Sequence, residues 1–221
     1  MVLKVYADRL SQPSRSVLLF CKVIGIDFEE IQVEVLKNQR FSPEYKAINP
    51  MSQVPAIVDG HLKLFERYPS DVSKRAKIHS VLDWHHSNLH RGSVGLILNT
   101  IMAPKGFPSS PQAAKEAEKI LMKSLNKLET FWLKDGSFLV GSSKPSIADI
   151  SLVCDIMQLQ LLSDKDFDRI LSPYKKVVEW IQDTISATAP HFHEVHGLLF
   201  KAQKRIRGQM ATQTVSALSK I

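Results

Sequence analysis

Ser11 stands between an alternating stretch, Leu3-Lys4-Val5-Tyr6-Ala7, and an apolar stretch at helical spacing whose first turn holds Pro13. Two readings fit a serine there. It is a plain loop or cap residue serving the helix's own amides. Alternatively, its hydroxyl serves something placed beside the helix N-terminus, where partial positive charge favours an anion such as a thiolate. The first histidine of the chain is His61, so no base follows close by, and a serine without an oriented base is a poor nucleophile. Hydrogen-bond donation is therefore a better expectation for Ser11 than covalent catalysis. A second chemical feature is Val54-Pro55, just ahead of the apolar Ala56-Ile57-Val58. A proline that opens a strand straight after a turn is a candidate cis bond, and it would leave the Val54 N–H and C=O facing outward. Glu66 closes the next apolar stretch with an exposed-type carboxylate.

The histidines invite a metal reading. His79, His85, His86 and His90 fall on one helical stretch, and His191, His193 and His196 on another. His86 and His90 share a helical face, but His193-Glu-Val-His196 lacks the spacing of a zinc-protease helix, so surface and core histidines with no metal are the expectation. Cys21 and Cys154 both lie in apolar helical windows and read as buried thiols rather than a redox pair.

The elements that must position these residues come in two kinds. Leu3–Ala7 reads as a strand, Pro13–Ile24 as a helix stopped by Gly25, and Phe28–Val35 as a second strand. A loop with one helical turn near Pro43–Ala47 follows. Ala56–Val58 and Leu62–Leu64 then form a hairpin around Asp59-Gly60. Beyond Pro69 the apolar residues recur at helical spacing in Val72–Leu98, Gln112–Leu133, Ile147–Leu162, Tyr174–Thr184 and Pro190–Arg207. Ser146-Ile-Ala-Asp149 is a capping box in its aspartate form. The fold class expected is a small α/β domain over residues 1–66, a linker over 67–71, an all-helical domain over 72–207 and a polar, aperiodic tail over 208–221.

With 221 residues, 44% of them apolar, the chain can bury a sizeable core. No apolar run approaches the ~20 residues of a membrane-spanning helix. The net charge of +7 raises the question of nucleic acid. The lysines and arginines, however, are spread along several helices rather than gathered in a reader motif, so neither nucleic acid nor membrane is expected as a partner.

Four ordered segments together carry a resemblance: Val5-Tyr-Ala-Asp-Arg-Leu-Ser-Gln-Pro-Ser-Arg15, Ile48-Asn-Pro-Met-Ser-Gln-Val-Pro-Ala-Ile57, Lys63-Leu-Phe-Glu66 and Pro145-Ser-Ile-Ala-Asp149. The chain resembles the theta-class glutathione S-transferases, and Trp84-His-His86 with Phe131-Trp132 is similar to their plant branch. The resemblance implies a thioredoxin-like N-terminal domain with Pro55 in cis, a helical C-terminal domain and a homodimer. It implies glutathione as co-substrate with no further cofactor, and a small apolar electrophile or hydroperoxide as second substrate. By the same resemblance Ser11 donates to the glutathione sulfur, Val54 pairs with its cysteinyl unit, and Gln12, Gln53, Arg40 and Phe41 complete the contacts. Glu66 would take the γ-glutamyl ammonium.

The departure follows immediately. The family continues with a serine-initiated helix, whereas here Glu66 runs into Arg67-Tyr68-Pro69. About 18 residues, a helix and its linker, are missing by comparison with the family. The expectation is an incomplete N-terminal domain lacking its last helix, with a catalytically impaired ligand binder as the alternative function. Ser219-Lys220-Ile221 resembles a peroxisomal address read by an import receptor, so the expected location is peroxisome, cytoplasm or both.

Overall fold

The computed structural model describes residues 2–59, 62–64, 72–102 and 109–218. Its N-terminal unit follows from the alternation already noted. In β1 (Leu3–Ala7), Val5 and Ala7 point into the main core while Tyr6 packs on the opposite face. Helix α1 (Gln12–Val23) starts with Pro13 in its first turn and is stopped by Gly25, whose φ of +72° lies in the left-handed region that glycine adopts freely. Strand β2 (Phe28–Gln32) runs parallel to β1, with Leu3 opposite Phe28. After α2 (Pro43–Ile48), β3 (Ala56–Asp59) and β4 (Leu62–Leu64) complete a four-stranded sheet in the order β2-β1-β3-β4. Val33, Tyr45 and Ala56 form a small second core on the α2 side of the sheet.

Strand β2 ends three residues before Val35. The Val35 N–H donates to the Asp8 carboxylate at 2.9 Å, and single 3-10 turns follow at Val35–Lys37 and Gln39–Phe41. A side chain from β1's loop thus takes the donor that would have continued the ladder.

The helical unit begins at α3 (Val72–His85), eight residues after Leu64. Instead of one helix to Leu98, the chain makes a π turn over His86–His90 and resumes as α4 (Arg91–Asn99). Next come α5 (Pro111–Lys127) with a π turn at Leu128–Trp132, α6 (Ile147–Met157), α7 (Asp164–Leu171), α8 (Lys175–Ala187) and α9 (His191–Leu218). Helices α4 and α5 cross closely: a Cβ on Gly92 would stand 2.6 Å from the Leu121 amide nitrogen. Helix α6 is buried along its whole length and packs against α1, so it is the axis joining the two units. No helix among the described residues is long and apolar enough to cross a membrane.

Two further expectations are corrected. Helix α7 falls between the expected helices Ile147–Leu162 and Tyr174–Thr184, and Ser163-Asp-Lys-Asp166 repeats the Ser-x-x-Asp cap, with Ser163 Oγ accepting from the Asp166 amide at 3.1 Å. The tail over 208–221 is helical as far as Leu218. Beyond Gly208 the chain has no proline or further glycine, and Met, Ala, Gln and Leu sustain a helix that lacks an apolar stripe. The linker 67–71 lies outside the described residues.

Candidate active site

Topology brings the expected residues to one end of the sheet. Strand β1 leaves it at Ala7 and leads through the loop to Ser11. Strand β2, parallel to it, leaves beside Ala7 toward Arg40 and Phe41. Strand β3, antiparallel with Tyr6 opposite Ala56, enters from that end, so Gln53 and Val54 precede it there. Glu66 lies outside the described residues.

Ser11 occupies the N-cap position of α1 with φ −81° and ψ 127°, yet its side chain makes no capping hydrogen bond. Its amide donates to the Asp8 carbonyl at 2.8 Å and its carbonyl accepts the Arg15 amide at 3.0 Å. The hydroxyl is thus held by backbone at a helix N-terminus without being spent on the helix. Gln12 is the first residue of that helix. Asp8, buried and three residues upstream, is no base for Ser11: its carboxylate accepts from the Leu10 and Val35 amides, each at 2.9 Å. It shapes the loop instead.

Arg15 completes the support from below. It is wholly buried, and one terminal nitrogen donates to the Arg9 and Leu10 carbonyls, both at 3.0 Å. The other donates to the Cys154 carbonyl at 3.0 Å and to Gln158 Oε1 at 2.8 Å, both from the helical unit. Burial pulls its pKa below the ordinary arginine value, though a guanidinium stays protonated across the physiological range. Next to it, burial and then the Arg15 charge press the His196 pKa down to about 3, so that imidazole is neutral.

The Val54–Pro55 peptide is cis, in agreement with its place before β3. Among the described residues the Val54 N–H and C=O find no backbone partner. The turn ahead of it is pinned through Gln53, whose carbonyl accepts from the buried Tyr45 hydroxyl at 2.6 Å and from Asn49 Nδ2 at 2.8 Å. Burial pushes the Tyr45 pKa up to about 12, which keeps that hydroxyl a donor. Arg40 lies over the Phe41 ring at 4.6 Å from its centroid, and its Nε is buried with no protein partner. Lys46 approaches the same ring at 6.0 Å. Together they form a cationic corner suited to a carboxylate.

Asp8, Arg15, Tyr45 and Asn49 went unnoticed in the sequence. Asp8 and Asn49 carry a local signal, a side chain accepting from the amide two residues on, at Leu10 and Met51. Arg15 carries none, since the two partners that tie it to the helical unit lie 139 and 143 residues away.

The histidine cluster on the helical unit differs from its sequence reading. His86 does stack on His90, 5.7 Å between centroids. The π turn also brings His85 beside His90, and both meet the buried Asp155 of α6. Burial pushes the Asp155 pKa up, but the two imidazoles outweigh it and hold the pKa at about 2. Cys21 and Cys154 are both buried, and no disulfide forms among the described residues.

A thioredoxin-like sheet presenting a serine and a cis-proline turn at one end, joined to a helical unit, defines a glutathione transferase. Residues 1–67 match the family model for the glutathione S-transferase N-terminal domain, and 111–183 match that for its C-terminal domain. The chain is 55% identical to glutathione S-transferase T1 of Arabidopsis thaliana, over 98% of this chain and 96% of that one. It is 30% identical to human glutathione S-transferase theta-1 over 92% and 91%. The apo form of human glutathione S-transferase T1-1 superposes with a TM-score of 0.79 at 28% identity, covering 97% of this chain and 98% of that one. A human theta-class enzyme in complex with the glutathione conjugate of 1-menaphthyl sulfate gives 0.81 at 25%, over 95% and 92%. The chain belongs to the glutathione S-transferase family, in its theta class, and is a transferase that uses glutathione.

The Arabidopsis alignment runs over 236 positions, while 98% of this chain supplies only about 217 residues. About 19 positions therefore have no residue here, close to the number expected to be missing after Glu66.

Proposed function

We propose that the chain conjugates glutathione with small apolar electrophiles and reduces organic hydroperoxides, with the Ser11 hydroxyl holding the glutathione sulfur as thiolate. The observation that carries this reading is a hydroxyl at the N-terminus of α1 that makes no capping bond. A donor and a helix N-terminus both favour the charged form of a thiol and lower its pKa. In this reading the Val54 backbone pairs with the cysteinyl unit as an added strand would. Arg40 takes the glycyl carboxylate, Gln53 and Phe41 flank it, and Gln12 lies beside the sulfur. The thiolate then attacks carbon and expels a leaving group. With a hydroperoxide it attacks the distal oxygen, the O–O bond breaks, the alkoxide leaves and takes a proton from water, and a second glutathione reduces the sulfenic acid to disulfide and water. A homodimer is part of the same proposal, resting on the family resemblance alone.

The second reading, a non-catalytic binder of apolar ligands, is favoured by the shortened connection after Leu64. A cavity of about 270 Å³ away from Ser11 also supports it, its lining mixing Met157, Phe167, Leu171 and Ile181 with the polar Gln160 and Asp168. One experiment separates the two. Ultraviolet difference spectra of bound glutathione at neutral pH should show the thiolate band, and turnover should follow with an electrophile or a hydroperoxide. Apolar-dye binding with neither thiolate nor turnover would support the second reading instead.

Localisation is a separate part of the proposal. Ser219-Lys220-Ile221 lies outside the described residues, and as an address it needs a free carboxyl end. A fluorescent protein fused upstream should collect in peroxisomal puncta and disperse when the tripeptide is deleted. Diffuse signal from both constructs refutes the address.

A further inference from the structure

We propose that His85, His90 and Asp155 form a binding site for a borderline divalent cation of the zinc type, clasping the π turn between α3 and α4 to helix α6. The site is distinct from the glutathione end of the sheet and makes no use of its residues. In an α-helix, residues five apart point about 140° away from each other. The π turn at His86–His90 removes that divergence, and the two ring centroids stand 5.8 Å apart. His85 Nε2 and His90 Nδ1 both face the Asp155 carboxylate, the latter at 3.0 Å from each oxygen. One ligand atom from each of the three residues fits within a span of 4.8 Å.

Two imidazoles and a carboxylate are an established donor set for zinc, with a water in the fourth position. Tetrahedral zinc with bonds of ~2.0–2.1 Å needs its ligand atoms roughly 3.3 Å apart, so the side chains must move by only about an ångström. Access is available on the histidine side, where His85 and His90 are 14% and 25% exposed, while Asp155 is 1% exposed and fixed within α6. A buried carboxylate on a rigid helix with two reachable imidazoles above it is a preorganised arrangement. The Arg15 charge is within electrostatic reach of Asp155 and lowers the affinity that the same three ligands would have alone.

The test uses the full chain, stripped with chelator and titrated with Zn2+ by calorimetry. Co2+ serves as a spectroscopic probe, because its visible bands report four-coordination. One ion per chain is expected, with tetrahedral Co2+ bands. His90→Gln and His85→Gln should each weaken binding by at least about tenfold, since even changes to partners outside the ligand shell cost ~10–100-fold. Asp155→Asn should abolish the Co2+ bands. If it fails to fold, the two histidine variants, altered at partly exposed positions, still decide the matter. His193→Gln, on the exposed surface of α9, should change nothing. Absence of one-to-one binding, or one-to-one binding that persists unchanged in His85→Gln and His90→Gln, overturns the proposal and leaves a plain hydrogen-bonded clasp.

Discussion

Replacing Ser11 with alanine should lower glutathione-dependent turnover about 100-fold or more, the scale on which loss of one charge-stabilising donor acts, while leaving the melting temperature nearly unchanged. The second half of that expectation comes from the structure. An N-cap serine ordinarily stabilises its helix by ~1 kcal/mol through its side chain, but Ser11 makes no such bond. The helix therefore has little to lose. Without the donor, the pKa of bound glutathione rises toward that of a free thiol, so the acidic limb of kcat/KM should move to higher pH. Cys21→Ala, at a buried position on the same helix, should leave turnover nearly intact. Unchanged turnover in Ser11→Ala would remove the serine from the mechanism.

Asp149→Ala should be the most damaging single change to stability. The carboxylate is fully buried and accepts the Leu139 amide at 2.8 Å, the Ser146 amide and hydroxyl at 2.7 Å, and Trp180 Nε1 at 2.9 Å. It thereby caps α6 while joining it to the loop before it and to α8. Removing it strands three N–H donors at ~1–3 kcal/mol each, on the order of 5 kcal/mol. A whole domain is stable by only ~5–15 kcal/mol. The urea midpoint should fall by a large fraction, or the variant should not accumulate as folded protein. A loss below ~1 kcal/mol, as for an ordinary exposed cap, would contradict this account.

What could be read beforehand followed from local physics. Alternation located β1, Pro13 and Gly25 bracketed α1, and Ser146 with Asp149 announced α6, because each signal is complete within a few residues. The cis peptide before Pro55 followed from the sequence, and the family resemblance named the residues that the sheet topology brings to one end. The scaffold under that end was not legible. Arg15 between two serines resembles any surface arginine, and its role exists only because Cys154 and Gln158 arrive beside it from the far half of the chain. The π turn is likewise invisible to periodicity, since one altered backbone ring changes which histidines meet without changing the sequence pattern. Helix α9 outran its predicted end because the sequence pattern detects buried stripes, and a helix does not need one to exist.

The arrangement around Arg15 bears on how freely the two halves can be recombined. Its guanidinium donates to carbonyls of the loop before Ser11 from one nitrogen, and to the Cys154 carbonyl and the Gln158 side chain from the other. A chimera that joins this sheet to another helical half must reproduce both a carbonyl and an amide oxygen at the positions of Cys154 and Gln158. Failing that, it leaves a buried cation short of acceptors. Drift in the helical half is therefore constrained by the sheet half through one buried side chain. The chain behaves less as two exchangeable modules than as one joint with two arms.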